Sequence, residues 1–282
     1  MNLKQRILYP FAKHFFAGTT LADAVARVRA ANSLGMGVML DFLGEDVAES
    51  TEAERARQEY ARAIEAVSGG PDASLAIKLT HIGLDIRKSA ALENALALVK
   101  LAKERGVPVW VDMEGSEHTD ATIEIYKSLL EAYRDTGIAI QAMLKRSPED
   151  LKALVAVGAK VRLVKGAYNE PSDIAIRDMA GIRRQYVAMM EYLFANSPFV
   201  AVGTHDRGLV NRALELRKDY SGHLEFQMLM GMRDDLKRSL VAAGHRVVEY
   251  VPYGSDWYGY GMRRLKEKRR NIVYFVQGMV GR

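Results

Sequence analysis

Short apolar runs recur at fairly even intervals along the chain. They are nearly continuous in Val, Ile, Leu, Ala and Met, a pattern typical of strands that are buried on both faces. Each run is bounded by glycine, proline or charged residues, which mark its ends. The pattern predicts eight buried strands, at Gly37–Gly44, Ser74–Gly83, Val107–Glu114, Ile138–Leu144, Val161–Tyr168, Phe199–Asp206, Leu224–Met230 and Val247–Gly254.

The segments between these runs carry the residues with which helices begin. Thr20–Asp23 and Thr51–Glu54 match capping boxes, and Ser147–Asp150 places a proline at the first position of a helix. Each connection is long enough for a helical crossover, which parallel strands require. The strands are therefore expected to be parallel and joined by helices.

Eight strand–helix units predict an α/β fold of the (β/α)8, TIM-like barrel class. We expect a single domain over residues 1–282, in which residues 1–35 form a helical N-terminal segment. A doubly wound sheet is the alternative, but neither GxGxxG nor GxxxxGK[ST] occurs in the sequence. The barrel is the better interpretation.

Composition limits the size of the core, the kinds of metal and disulfide site, and the cellular location that we expect. With 282 residues, 49% of them hydrophobic, the chain can bury one large core or two modest ones. No apolar run reaches the roughly 18 residues that span a bilayer, and the N-terminus lacks the pattern of a signal peptide. The absence of cysteine excludes disulfides and cysteine-ligated metal centres. We expect a cytoplasmic protein.

The net charge of +5 is concentrated near the end of the sequence. Residues 263–282 contain seven Lys or Arg and a single Glu, interleaved with apolar residues. Such a tail can contact nucleic acid or an anionic membrane surface. No nucleic-acid-binding module is visible, so nucleic acid is not an expected partner. Peripheral membrane contact stays open.

Polar residues collect where the predicted strands end, which is where active sites of this fold lie. A buried polar group without a partner costs roughly 1–3 kcal/mol, so a core gains nothing from them. Some are expected to be structural, such as a salt bridge of Asp112 with Lys78 or Arg162. The group comprises Lys78, Thr80, His81, Asp112, Glu114, Gln141, Arg162, Lys165, Tyr168, Thr204, His205, Asp206, Glu225, Gln227 and Tyr250.

The segment from Arg246 to Glu267 adds a cationic helix to this end of the barrel. Its strand stops at Pro252 and Gly254, after which Ser255 or Asp256 can cap a helix. Two adjacent arginines beside an aromatic suit a small planar anion such as a carboxylate. The residues that share one face of the helix are Tyr260, Arg263, Arg264 and Glu267.

Several functions fit these residues. The first is a site for a large anionic cofactor and a small acid, and the residue types favour it. The second is a Schiff-base aldolase with Lys165 or Lys78 as nucleophile. The third is a barrel that binds a ligand without turnover. The fourth is a divalent metal site, whose ligands would be Asp112, Glu114, Glu225 and His205.

Seven motifs in order resemble the proline dehydrogenase family. RLVKGAY within Val161–Tyr168 is the most specific, and GTHD at Gly203–Asp206 and EFQMLMGM at Glu225–Met232 follow it. The IKL, VDME and IQAMLKR strings of the second, third and fourth predicted strands are also similar to the family. The last motif is the set Tyr250, Tyr260, Arg263, Arg264 and Glu267. The resemblance runs from about residue 35 to about residue 275 and is to the monofunctional form.

The resemblance implies FAD, held without a Rossmann unit. Arg162 would lie near the isoalloxazine N5 edge and Gln141 near its pyrimidine edge. No metal is implied. The cofactor-binding residues carried over are Gln141, Arg162, Val164, Lys165, Gly166, Ala167, Tyr168, Thr204, His205, Gln227, Arg264 and Glu267.

The resemblance also implies the reaction and the substrate pocket. L-Proline would be oxidised to Δ1-pyrroline-5-carboxylate by hydride transfer to the flavin N5, with the last helix over the barrel mouth. This is the first step of proline catabolism. Lys78, Arg263 and Arg264 would clamp the carboxylate. The residues that shape the pocket around the ring would be Asp112, Leu229, Tyr250 and Tyr260.

The partners implied are L-proline and a quinone-type electron acceptor. An association with the inner face of the membrane and a homo-oligomer stay open. A folate-reductase-like barrel, which also binds FAD without a Rossmann unit, is the rival within flavin chemistry. The lysine aldolase remains the rival from another class.

Overall fold

The computed structural model describes residues 3–265, with side chains from residue 8 onwards. Within that range, eight parallel strands form one closed barrel in which each strand pairs with the next and β8 pairs with β1. The closing register places Met39 of β1 opposite Tyr250 of β8. The predicted (β/α)8 class is confirmed. The strands are β1 (Gly37–Phe42), β2 (Ala73–Ile77), β3 (Val109–Val111), β4 (Thr136–Gln141), β5 (Lys160–Val164), β6 (Phe199–Gly203), β7 (His223–Leu229) and β8 (Arg246–Tyr253).

Every predicted strand overlaps an observed one, but several end earlier than predicted. The second predicted strand extends to Gly83, whereas β2 ends at Ile77 and a short 3-10 turn, Thr80–Ile82, follows it. Likewise β3 ends at Val111, before Glu114. Polar residues such as Thr80 and Glu114 therefore lie on loops, and the Thr80 amide donates to the Glu114 carboxyl at 3.1 Å instead of to a neighbouring strand.

Helices cover the outside of the barrel and alternate with the strands. The predicted capping box of α2 is confirmed, since the Asp23 amide donates to Thr20 Oγ1 at 3.2 Å and the Thr20 amide donates to Asp23 Oδ2 at 3.0 Å. The helices are α1 (Leu3–Ala12), α2 (Leu21–Asn32), α3 (Ser50–Val67), α4 (Lys88–Arg105), α5 (Thr119–Ala132), α6 (Ser147–Ala156), α7 (Met179–Asn196), α8 (Arg207–Leu216), α9 (Asp234–Ala242) and α10 (residues 257–265).

Two predicted helix starts need correction. The capping box at Thr51–Glu54 is wrong, because α3 begins at Ser50 and Glu49 precedes it without a side-chain cap. Glu54 pairs instead with Arg57 at 2.6 Å on the helix surface. In α6 the proline falls one residue later than predicted, since the helix already begins at Ser147.

The apolar interior is divided by the strand wall. A large core lies between strands and helices, and a smaller one fills the barrel, where Met39, Ala76, Trp110, Ala201 and Val248 meet. Filling by side chains makes the barrel a packed core with no pore through it. Any site has to lie at an end of the cylinder.

The C-terminal end of the barrel, its mouth, is covered by the N-terminal segment together with α10. Phe16 stacks on Trp257 with ring centroids 5.4 Å apart, and the Ala17 amide donates to the Pro252 carbonyl at 2.8 Å. We call the buried apolar group at this place the mouth cluster. It consists of Ala12, Phe15, Phe16, Leu43, Met232, Trp257 and Tyr260.

The mouth cluster locates the last helix. Leu43 directly follows β1 and Met232 follows β7, so Trp257 and Tyr260 of α10 pack against the carboxyl ends of the strands. The prediction of a helix over the mouth is confirmed. Of the helices between residues 3 and 265, none combines the length and apolar character that crossing a bilayer requires.

Candidate active site

A buried arginine stands at the centre of the mouth. Arg162 of β5 points into the barrel, where its guanidinium pairs with Asp112 and lies 3.4 Å from Gln227 Oε1 and 3.0 Å from Met39 Sδ. Its ζ-carbon lies 5.4 Å from the centroid of the Tyr250 ring. Arg162 Nε is buried and has no hydrogen-bond partner among the described residues.

Lys78 joins this centre from the other side of Asp112. Its ammonium pairs with Asp41 and lies 3.8 Å from Asp112 Oδ2, which also accepts a 2.6 Å hydrogen bond from the Tyr250 hydroxyl. The predicted salt bridge of Asp112 is thus confirmed, with both Lys78 and Arg162. Asp41 was missed, although a single aspartate inside the apolar run of β1 is a signal that could have indicated it.

The charges at this centre support one another. Burial would raise the pKa of Asp112, but Arg162 and Lys78 together outweigh burial and hold that pKa below its usual value. Burial would lower the pKa of Lys78, but Asp41 and Asp112 raise it well above its usual value. Both groups are therefore charged at neutral pH.

The two candidate aldolase nucleophiles are both paired with carboxylates. A Schiff base needs a neutral amine, which enzymes obtain by lowering the lysine pKa. Lys78 has the opposite environment, and Lys165 Nζ donates to Asp206 Oδ2 at 2.7 Å. The geometry disfavours the aldolase interpretation.

Polar residues at the ends of β2, β3 and β4 form a connected shelf. The Gln141 side-chain amide donates to the Glu114 carbonyl at 2.8 Å, and the Ala167 amide lies 3.4 Å from Gln141 Oε1. The Glu114 carboxyl accepts from the Thr80 amide at 3.1 Å and from the Thr80 hydroxyl. Burial raises the pKa of Glu114 to about 7, despite these donors.

The ends of β4 and β5 are locked together by the backbone. The Val164 carbonyl accepts from the Ala142 amide at 2.7 Å, and the Lys165 carbonyl accepts from the Met143 amide at 2.9 Å. A Cβ at Gly166 would lie 2.5 Å from Met143, so only glycine fits there without a shift. The RLVKGAY motif therefore presents a tightly placed backbone to the mouth.

Beyond β6, His205 is hydrogen-bonded to the end of β7. Its Nε2 accepts the Leu229 amide at 2.9 Å, which requires a neutral ring. Burial, with the nearby cations of Arg264 and Lys237, lowers the pKa of His205 to about 3. The neighbouring Thr204 hydroxyl accepts the Asp206 amide at 3.2 Å.

The α10 residues reach the mouth from above. The Arg264 guanidinium lies 5.6 Å from the Tyr260 ring centroid. Arg263 has a side chain 55% exposed and lies 3.7 Å from Glu45 Oε1, while Glu45 Oε2 is 3.4 Å from the Tyr168 hydroxyl. Glu45 was missed in the sequence. Its position in the loop directly after β1 is the signal that could have indicated it.

The structure brings nearly all predicted site residues to one end of the barrel, with two exceptions. Glu267 lies outside the described residues. Glu225 was placed wrongly at the mouth, because it sits near the start of β7 and lies 3.8 Å from Arg246 and 3.3 Å from His223. The alternative of a metal site formed by these residues is therefore wrong, because Glu225 lies at the opposite end of the barrel from Asp112. Asp112 is already paired with Lys78 and Arg162.

A (β/α)8 barrel whose carboxyl mouth gathers buried, mutually paired charges has the architecture of an enzyme. A sequence model of the proline dehydrogenase family matches residues 24–275. Proline dehydrogenase 1 of Bacillus subtilis subsp. natto is 34% identical over 273 residues, which cover 95% of this chain and 90% of the relative. Proline dehydrogenase of Deinococcus radiodurans is 31% identical, with coverage of 99% and 93%.

A solved structure agrees with these sequence matches. Proline utilization A from Bdellovibrio bacteriovorus, inactivated by N-propargylglycine, superposes with a TM-score of 0.85 at 25% identity. The match covers 93% of this chain and 33% of that one. The chain belongs to the proline dehydrogenase family, oxidoreductases that carry out the first step of proline utilization.

Proposed function

We propose that the chain oxidises L-proline to Δ1-pyrroline-5-carboxylate with FAD as its cofactor. The observation that carries the proposal is the buried centre of Lys78, Asp112, Arg162 and Tyr250 beneath the arginines of α10. It offers fixed cations and a rigid aromatic wall at the place where this fold keeps its active sites. Family membership supplies the reaction class.

The residues present fit a large anionic, heterocyclic cofactor. Arg162 Nε is buried without a partner among the described residues, which leaves one donor for a ligand atom. The Gly166 backbone can be approached closely, and the Gln141 amide is fixed by the Glu114 carbonyl. The residues that would hold FAD are Gln141, Arg162, Val164, Lys165, Gly166, Ala167, Tyr168, Thr204, His205, Gln227 and Arg264, with Glu267 beyond the described range.

The chain's own task in the reaction is to bind and orient the amino acid. Lys78, Arg263 and Arg264 would hold the proline carboxylate, since paired arginines bind planar anions through several hydrogen bonds. The nitrogen must lose a proton before its lone pair can form the C=N bond as hydride leaves the adjacent carbon. When bound, FAD supplies the acceptor for that hydride.

The walls of the pocket would fix the ring and exclude water. The Tyr250 hydroxyl is tied to Asp112 at 2.6 Å, so its ring is held in place. Tyr260 belongs to the mouth cluster and Leu229 packs against it, which gives the pocket an apolar side. Fixed contacts of this kind hold the reacting carbon in one orientation, which is a large part of such catalysis.

The test is the visible spectrum of the purified protein, followed by anaerobic addition of L-proline. We expect a bound flavin spectrum that bleaches with L-proline. Arg264→Met should weaken bleaching strongly, whereas Arg246→Met, at the opposite end of the barrel, should not. A protein that refuses added FAD contradicts the cofactor, and a flavoprotein that stays yellow with L-proline contradicts the substrate.

We further propose that the electrons pass to a quinone-type acceptor at the cytoplasmic face of a membrane. The support is the composition of residues 263–282, which are basic and partly apolar; residues 266–282 lie outside the described range. Anionic lipid attracts such a segment. Equal binding to anionic liposomes by the full chain and by a chain lacking residues 266–282 would reject the membrane contact.

A further inference from the structure

A buried ion network lies behind the barrel wall, outside the site described so far. Lys237 of α9 is 1% exposed, and its ammonium lies 2.5 Å from Glu249 Oε1 and 2.7 Å from Asp234 Oδ1. Glu249 of β8 is fully buried and also accepts from Arg27 Nε at 2.7 Å. The network joins α2, α9 and β8.

The third acceptor of the Lys237 ammonium leads to the mouth. It is the carbonyl oxygen of Leu229, the last residue of β7, at 3.4 Å. The amide of the same residue donates to His205 Nε2 at 2.9 Å. The Leu229 carbonyl also accepts the Met232 amide at 3.2 Å. Leu229 is therefore held at its amide by His205, which follows β6, and at its carbonyl by Met232 and by Lys237 from behind the wall.

The side chain of Leu229 faces the proposed substrate pocket. Side chains alternate along a strand, so Leu229 shares its face with Gln227, which contacts Arg162 inside the barrel. Leu229 also pairs in register with Tyr250 and packs against the mouth cluster. A shift of this backbone would move a wall of the pocket.

Stability alone does not account for the network. Replacing a buried ion pair by apolar residues is often neutral or stabilising, because removing charges from water is unfavourable. A charged group that donates to a neighbouring carbonyl, by contrast, loses that contact when an apolar residue replaces it. Lys237 is such a group, because one of its three acceptors is the carbonyl oxygen of Leu229.

We propose that Lys237 is a positioning residue of the substrate pocket, which sets the place of Leu229 through its carbonyl. The inference rests on the proposed function, in which Leu229 contacts the proline ring. Lys237 itself would touch neither substrate nor cofactor. Its ammonium would act from the far side of the strand wall.

Lys237→Met, Arg27→Met and the double variant Lys237→Met/Glu249→Gln test the proposal. Arg27→Met is the matched control, since it removes a partner of Glu249 without touching Leu229. We expect Lys237→Met to raise KM for proline about tenfold with a smaller change in kcat, and Arg27→Met to leave KM within about twofold. The double variant should regain stability but not the parental KM.

Hydrogen exchange gives a readout that does not depend on activity. The amide of Leu229 should exchange faster in Lys237→Met than in Arg27→Met, in protein without proline. Unchanged exchange in Lys237→Met, or a KM that recovers together with stability in the double variant, overturns the proposal. If the parent protein fails to oxidise proline, the proposed function is wrong, whereas the exchange comparison still decides whether Lys237 positions Leu229.

Discussion

The Asp112 carboxylate accepts hydrogen bonds from Arg162 and Tyr250 and forms an ion pair with Lys78, and this arrangement limits what its neighbours can do. Burial would lower the pKa of Lys78, but Asp41 and Asp112 raise it well above its usual value, so Lys78 stays protonated beside Asp112. Burial and the charge of Asp112 raise the pKa of Tyr250 well above its usual value, so the phenol stays neutral at physiological pH. Neither Lys78 nor Tyr250 is thus suited to remove a proton from a substrate. Their environment fits binding and orientation.

Tyr250→Phe tests this orienting role. The variant keeps the ring but loses the 2.6 Å hydrogen bond to Asp112, so we expect the rate of flavin bleaching by proline to fall about tenfold. Tyr186→Phe is the control, because it loses a 2.7 Å bond to the Leu163 carbonyl outside the barrel. It should lose about 1 kcal/mol of stability with bleaching unchanged. Equal bleaching in both variants contradicts the role of Tyr250.

Glu114 makes stability depend on pH in a way that can be isolated. Its pKa rises from 4.5 to about 7 on folding, so the folded state binds the extra proton between these values. The contribution of Glu114 to the free energy of unfolding is fully present below pH 4.5. This contribution, about 3 kcal/mol in total, is lost as the pH rises through about 7.

The comparison that isolates Glu114 is urea unfolding of the parent and Glu114→Gln at several pH values. The parent's stability relative to the variant should fall between about pH 5 and about pH 7 and then level off. His81, whose pKa burial lowers to about 4, contributes with the opposite sign but is common to both proteins. A difference that does not change with pH would contradict the raised pKa.

At the scale of single elements, the sequence predicts interiors better than ends. The continuous apolar runs predicted all eight strands, because burial on both faces leaves no other pattern. The predicted ends failed where tertiary contacts decide the structure, as at Thr80, whose hydroxyl and amide donate to Glu114 in the loop after the next strand. A partner on another element leaves no mark in the local sequence.

Two threonines that look alike in the sequence should behave differently. Thr20→Ala removes the cap of α2 and should lower the free energy of unfolding by about 1 kcal/mol. Thr51→Ala lies inside the first turn of α3, where alanine is a good helix former, so we expect a change within about 0.5 kcal/mol. Urea unfolding measures both. A larger loss for Thr51→Ala would contradict the start of α3 at Ser50.

At the scale of the whole molecule, the sequence predicted which residues lie at the mouth but not which contacts they make with one another. Resemblance to a family indicated Tyr260, Arg263 and Arg264, and the fold indicated which end they share. The contacts of Glu45 with Arg263, and of Lys237 with Leu229, join elements that are brought together only when the barrel closes. The charge of a residue does not by itself predict which of the many oppositely charged or polar groups in the chain it contacts.

Gly231 couples the loop after β7 to the N-terminal segment, and its substitution should reveal that coupling. Gly231 and Gly244 have similar positive φ angles, 71° and 79°, but a Cβ at Gly231 would overlap the His14 carbonyl whereas Gly244 has open space. Gly244→Ala should lose about 1 kcal/mol from backbone strain. Gly231→Ala should lose at least about 1 kcal/mol more.

Urea unfolding compares the two glycine variants, and limited proteolysis locates the damage. Cleavage near residues 13–18 should become faster in Gly231→Ala alone. Equal stability of the two variants would mean that the loop and the N-terminal segment move independently.

The stacking of Phe16 on Trp257 has a consequence for biosynthesis. All eight strands lie between these two residues in the sequence. Phe16 is therefore synthesised before the whole barrel, and Trp257 becomes available to stack on it only after all the strands have been translated. A nascent chain halted before residue 257 would expose the aromatic surface around Phe16, and exposed hydrophobic surface of this kind is what chaperones bind. Catalytic competence would thus arrive abruptly, with the emergence of α10, rather than growing strand by strand.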